Sequence, residues 1–120
     1  FQVCAENVKD YLLGFLLDTK RNGLKIGAYG AAAKGNTLLN FAGVRPDLLP
    51  YVVDKNPAKN GQYMPGSRIP IVDEDHLRNH RPDYILILPW NLKTEVMAQL
   101  EYAREWGAKF VVAVPTLGVL

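Results

Sequence analysis

A chain of 120 residues, 48% hydrophobic and 22% charged, suits one globular domain that buries its own core without staples. A net charge of +2 is too mild for a nucleic-acid-binding surface. The single cysteine, Cys4, excludes an intrachain disulfide and a cysteine-rich zinc site, and no apolar run reaches the ~18 residues of a membrane span, so a reducing, cytoplasmic setting is the default expectation.

The chain opens on Phe1 and passes directly into a helical pattern, which reads as a piece cut from a longer protein. Over residues 2–21, Val8, Leu12, Phe15 and Leu16 recur at helical spacing with Glu6, Lys9, Asp10 and Asp18 between them, predicting one long amphipathic helix. Gly23 of "RNG" is the expected left-handed stop. Five strand-like runs follow: "LKIGAYG" (24–30), "YVVD" (51–54), "IPIV" (69–72), "DYILILPW" (83–90) and "KFVVAVP" (109–115). Pro70 restricts the third to an edge, if it is a strand at all. Unbroken apolar runs point to strands covered on both faces, as in a parallel sheet. Helices are predicted over 36–43, over 73–80 with an acidic first turn, and over 93–106, where Val96, Leu100, Ala103 and Trp106 share one side and Gly107 closes the element. The alternation predicts an α/β, Rossmann-like three-layer domain over 1–120. Its sheet is mostly parallel, with four to five strands in the order 3-2-1-4-5, and residues 1–22 form a leading helix. Proline and glycine crowd 57–70, marking the one long loop.

The stretch "GAYGAAAKGNTLLN" (27–40) joins the first strand to the next helix and looks like a phosphate loop. The dinucleotide fingerprint G-x-G-x-x-G has the right context here but the wrong spacing, although Asp54 ends the second strand where a ribose-binding acid belongs. The triphosphate loop G-x-x-x-x-G-K-[ST] fits Gly30, Gly35 and Thr37, but the lysine stands at 34 instead of 36. Lys34 at a helix start is disfavoured by the dipole by ~0.3–1 kcal/mol, and the N–H groups there lack intrahelical partners. A bound phosphate or carboxylate relieves both; the plain alternative is a solvated lysine or one paired with an acid elsewhere.

In a 3-2-1-4-5 sheet the crevice opens between the ends of strands 1 and 4. Strand 4 delivers Pro89, Trp90 and Asn91, a stacking surface beside an amide, though Trp90 serves equally to cap the core. Lys55, Lys59, Tyr63 and Arg68 lie in the loop past Asp54, within reach of a ligand or merely solvated. His76 and His80 stand four apart on a polar helix without a third metal ligand, which favours a solvated face over a metal pair. No Ser-His-Asp or Cys-His arrangement stands out, so the residues describe an anion-binding α/β module with no catalytic set. A nicotinamide- or coenzyme A-binding module is the alternative.

"GAYGAAAKGNTLLN", "YVVDKNPAKNGQYMPGSRIPI", "PDYILILPWNL" and "EWGAKFVVAVPTLGVL" together resemble, over essentially the whole chain, the C-terminal domain of the sugar C-methyltransferase family. The resemblance implies a longer enzyme that uses S-adenosylmethionine to methylate a carbon of a nucleotide-linked keto-deoxysugar. A zinc-binding domain and a methyltransferase domain would lie upstream and carry the methyl-donor site and the catalytic base. It implies that Gly30, Lys34, Gly35, Asn36, Thr37, Asp54, Asn56, Trp90 and Asn91 help enclose the nucleotide sugar against that upstream domain. No cofactor, metal, nucleic acid or membrane is expected on this part. Ala32, where the family would have proline, and the apolar tail "PTLGVL" depart from the pattern.

Overall fold

The computed structural model describes residues 2–31, 33–113 and 118–119, and the side chains among these other than those of 2–8, 33, 34 and 118. Helix α1, Gln2–Arg21, has the predicted bounds. It ends where Gly23 turns left-handed (φ 70°), with the Gly23 N–H donating to the Lys20 carbonyl and that of Leu24 to Thr19. Then come β1 (Ile26–Tyr29), α2 (Ala33–Ala42), β2 (Val52–Val53), β3 (Ile71–Val72), α3 (Glu74–His80) and β4 (Tyr84–Ile87). After a 3-10 turn at Trp90–Leu92, the chain continues through α4 (Lys93–Gln99), a 3-10 segment Glu101–Trp106, β5 (Lys109–Val112) and β6 (Gly118–Val119).

The sheet order is β3-β2-β1-β4-β5-β6; the first five strands run parallel and β6 lies antiparallel to β5. The predicted 3-2-1-4-5 order therefore holds, and the sixth strand is an addition. The third run is a strand at the outer edge, preceded by Pro70 as its proline requires. Its free side is covered by its own loop: the Gly61 N–H donates to the Ile71 carbonyl and the Ile71 N–H to that of Gln62.

Alternation along the strands builds two cores. Ile26, Ala28, Leu86, Leu88 and Val111 pack on one face with Leu12 and Leu16 of α1 and Leu39 of α2. Tyr29, Ile85, Ile87 and Phe110 pack on the other with Leu77 of α3 and Val96 of α4. This is the three-layer arrangement expected of strands that read as continuous apolar runs.

Two helices differ from the sequence reading. Helix α2 begins at Ala33 rather than 36, so Lys34, Gly35 and Asn36 stand in its first turn. The single helix predicted over 93–106 is an α-helix only to Gln99 and a 3-10 segment from Glu101. The spacing of its apolar positions explains the change. Val96 to Leu100 is a step of four, an α-helical neighbour, whereas Leu100, Ala103 and Trp106 are steps of three, which align on a 3-10 helix. The tightening brings the Trp106 indole N–H to the Pro82 carbonyl at 2.9 Å.

Candidate functional site

The carboxyl ends of β1, β2 and β4 meet at one end of the sheet, where the strand order reverses between β1 and β4. The glycine loop crosses this end under tight packing. Gly30 has φ 92°, and a Cβ there would lie 2.5 Å from Pro89 Cδ. A Cβ on Gly35 would lie 2.6 Å from the Cβ of Leu88. Both glycines are thus demanded by the approach of loop and helix to the end of β4. That approach sets Pro89, half-buried Trp90 and exposed Asn91 beside the loop. Trp90 also rests on the core beneath α3 and α4.

The loop is held from its other side by the segment that follows β2. The Gly30 N–H donates to the Val53 carbonyl at 2.7 Å, and the Ala31 N–H to Oδ2 of Asp54 at 2.9 Å. Lys59 Nζ donates to the Ala31 carbonyl at 3.1 Å and stands 3.9 Å from Asp54 Oδ2. The second Asp54 oxygen accepts the Asn56 N–H at 2.8 Å. Asn56, exposed, serves the same turn: its Oδ1 accepts the Ala58 N–H at 3.1 Å. Asp54, expected as a ligand acceptor, is therefore engaged on both oxygens by backbone. Likewise the N–H groups of Gly30 and Ala31 are spent on the loop itself. The loop then enters the first turn of α2, where helix N–H groups lack an intrahelical acceptor.

In that turn, the Lys34 backbone is helical and its side chain lies outside the described residues. Asn36 is half-buried, and its Oδ1 accepts no hydrogen bond among the described residues. Thr37 is exposed on the next position. The predicted residues thus gather at one end of the sheet, in two roles: Gly30, Gly35, Asp54 and Asn56 shape the loop, while Asn36, Thr37, Trp90 and Asn91 border it.

A cavity of about 390 Å³ opens on the α3 and α4 side of Asp54, lined by Lys55, Asn60, Asp73, Glu74, Asp75 and Gln99 as well. Four carboxylates line it, so it repels a diphosphate and suits hydroxyl groups. Behind it runs a chain of side-chain hydrogen bonds that no sequence motif announces. Gln99 Nε2 donates to the Tyr29 hydroxyl at 2.6 Å and to Glu74 Oε1 at 2.7 Å, and the Tyr102 hydroxyl donates to Glu74 Oε2 at 3.4 Å. Burial pushes the Tyr29 phenol pKa up; the Gln99 hydrogen bond opposes this, and the charges of Glu74 and Asp54 add to it. Burial, with the Glu74 carboxylate adding, has the Tyr102 phenol pushed up to about 12.

His76 is exposed, as expected, and His80 is half-buried, but neither is free of the fold. Both rings stand edge-on to Tyr51, at centroid distances of 4.6 and 5.1 Å, and the Tyr51 hydroxyl lies 2.7 Å from His80 Nδ1. The Tyr51 ring occupies the space that a Cβ on Gly27 would need, 2.5 Å from its Cε2. Among the described residues no group of three His, Cys, Asp or Glu is placed to hold a metal, and no helix is long and apolar enough to cross a membrane.

Comparison with known proteins agrees with the sequence resemblance. The family described as "C-methyltransferase C-terminal domain" matches residues 1–115. The chain is 32% identical over 115 residues to C-methyltransferase NovU of Streptomyces niveus, covering 96% of this chain and 27% of that protein. It thus spans about a quarter of the length of that relative. A match over almost the whole chain, on a Rossmann-like sheet with a glycine loop at its switch point, decides the assignment: this chain belongs to the C-methyltransferase C-terminal domain family.

Proposed function

We propose that this domain is the substrate-side part of an S-adenosylmethionine-dependent C-methyltransferase acting on a nucleotide-linked keto-deoxysugar. The first turn of α2 receives the diphosphate, and an upstream methyltransferase domain, working in the cytoplasm, completes the site. The observation that carries the reading is the clamped glycine loop. The Gly30 and Ala31 N–H groups are taken up by Val53 and Asp54, and the loop leads into the first turn of α2, where helix N–H groups lack intrahelical acceptors, at the switch point of the sheet. Trp90 and Asn91 on one side and the acceptor-rich cavity on the other suit the nucleoside and the sugar hydroxyls.

The acid at the end of β2, the usual acceptor for an adenosyl ribose, here has each oxygen bracing the loop through a backbone N–H. The methyl donor is assigned to the upstream domain, and no chemical step is placed on this chain. Its contribution is binding and orientation, which alone carry a large share of a rate enhancement. The glycine spacing, which departs from G-x-G-x-x-G, counts against a nicotinamide module.

A thermal-shift titration of the protein with thymidine diphosphate, nucleotide-linked sugars and NADH tests the proposal. A shift with the diphosphate and the sugars, and none with NADH, is the expected result. A shift with NADH alone overturns it.

A further inference from the structure

We infer that Lys59 is a positioning residue, forming with Asp54 a clamp on the two polar groups of Ala31 that sets how the first turn of α2 meets its ligand. Ala31 is held at its N–H by a side chain 23 residues away and at its carbonyl by one 28 residues away. The 3.9 Å approach of Lys59 to Asp54 closes the arrangement on itself. The loop needs such a hold, because Gly30 and Gly35 on either side of it lack the Cβ that restricts other residues.

The arm carrying Lys59 is itself built rigidly. Asp54 Oδ1 accepts the Asn56 N–H, Asn56 Oδ1 accepts the Ala58 N–H, and the Lys59 N–H donates to the Asn56 carbonyl at 3.0 Å. Two successive side-chain-to-backbone turns, written in "DKNPAK", thus fold the chain back over Asp54. Gln62 Nε2 fastens the far side by donating to the Ala58 carbonyl at 3.0 Å. A lysine that only solubilised this surface would extend into water; Lys59 instead ends on a backbone carbonyl at the foot of α2. There its charge also adds to the field that draws an anion.

The clamp stands on geometry alone, while its effect on binding rests on the proposed nucleotide-sugar reading. The test uses the full-length protein with Lys59→Ala, Lys59→Arg and, as a control, Lys20→Ala on the exposed end of α1. Hydrogen exchange across 28–38 is followed without ligand, and KM and kcat are measured with a nucleotide-linked keto sugar. Lys59→Ala should speed exchange of the loop amides by roughly tenfold with an unchanged melting midpoint. It should raise KM roughly five- to twentyfold with kcat within about twofold. Lys59→Arg should recover most of both, and Lys20→Ala should match the parent. Unchanged loop exchange in Lys59→Ala overturns the clamp, and a raised KM with unchanged exchange makes Lys59 a direct ligand contact instead. Faster exchange in a protein whose parent form binds no nucleotide sugar keeps the clamp and removes the ligand reading.

Discussion

The Ala31 N–H donates to Oδ2 of Asp54 at 2.9 Å, joining the turn after β1 to the end of β2. A position that reads as a ribose acceptor is thereby a brace for the loop. In Asp54→Asn only one oxygen remains, so either Ala31 or Asn56 loses its acceptor, and Lys59 loses its charged neighbour. A cost of about 1–2 kcal/mol is expected in urea denaturation. A variant as stable as the parent would mean that the carboxylate does not hold the loop.

The glycines of the chain differ in what they do, and alanine substitution separates them. Gly35→Ala drives a Cβ to 2.6 Å from Leu88 and should cost about 1–3 kcal/mol. Gly30→Ala adds a left-handed φ to a clash with Pro89 and should cost at least as much. Gly14, on the exposed side of α1 with nothing within 4 Å, should gain about 0.5–1 kcal/mol as alanine. Equal effects at all three positions would contradict the packing of the loop on β4.

His80 gives the fold an acid-side sensitivity. Burial lowers its pKa below the ordinary 6.5, the charges of Lys25 and His76 lower it further, and Asp83 opposes them. The unfolded chain therefore takes up this proton first as the pH falls. The stability tied to the neutral ring is whole above pH 6.5 and is lost as the pH drops from there through the folded value. Tyr51, its hydrogen-bond partner, acts at the other end. Burial raises its pKa well above 10.0, so the stability tied to the neutral phenol is lost as the pH rises past that value. Urea midpoints measured between pH 7.5 and 5 should fall more steeply in the parent than in His80→Gln. Parallel profiles would show that His80 does not titrate differently on folding.

Gln99 spans two acceptors, Tyr29 on β1 and Glu74 on α3, and so ties α4 to the rest of the site. Gln99→Leu should leave the buried Tyr29 hydroxyl without its donor and cost about 1–2 kcal/mol. Adding Tyr29→Phe should restore part of the loss. Strict additivity of the two in a double-mutant cycle would show that the bond contributes nothing.

Much of this architecture was legible in the sequence. Residues 2–21 carry an unbroken 3.6-residue pattern that ends in glycine, so α1 was read to its bounds. Runs such as "DYILILPW" are strands buried on both faces, and their alternation with helices implies the sheet order. Such patterns are local, and the chain repeats them over enough residues to be read. The four motif blocks likewise carried the family. Strand β6 pairs with β5 from a two-residue run that carries no apolar pattern of its own, and the Trp106 indole reaches Pro82, 24 residues earlier, a contact no local pattern shows.

What the sequence determined by itself is therefore the periodicity, the fold class and the family, since each is carried by neighbouring residues. The tertiary structure alone decided which partner each polar group takes. It turned Asp54 and Lys59 inward onto Ala31 and brought His76 and His80 against Tyr51. The reason is that a carboxylate or an ammonium group takes whichever partner the folded backbone brings within about 3 Å, and that partner comes from strands and loops distant in the chain.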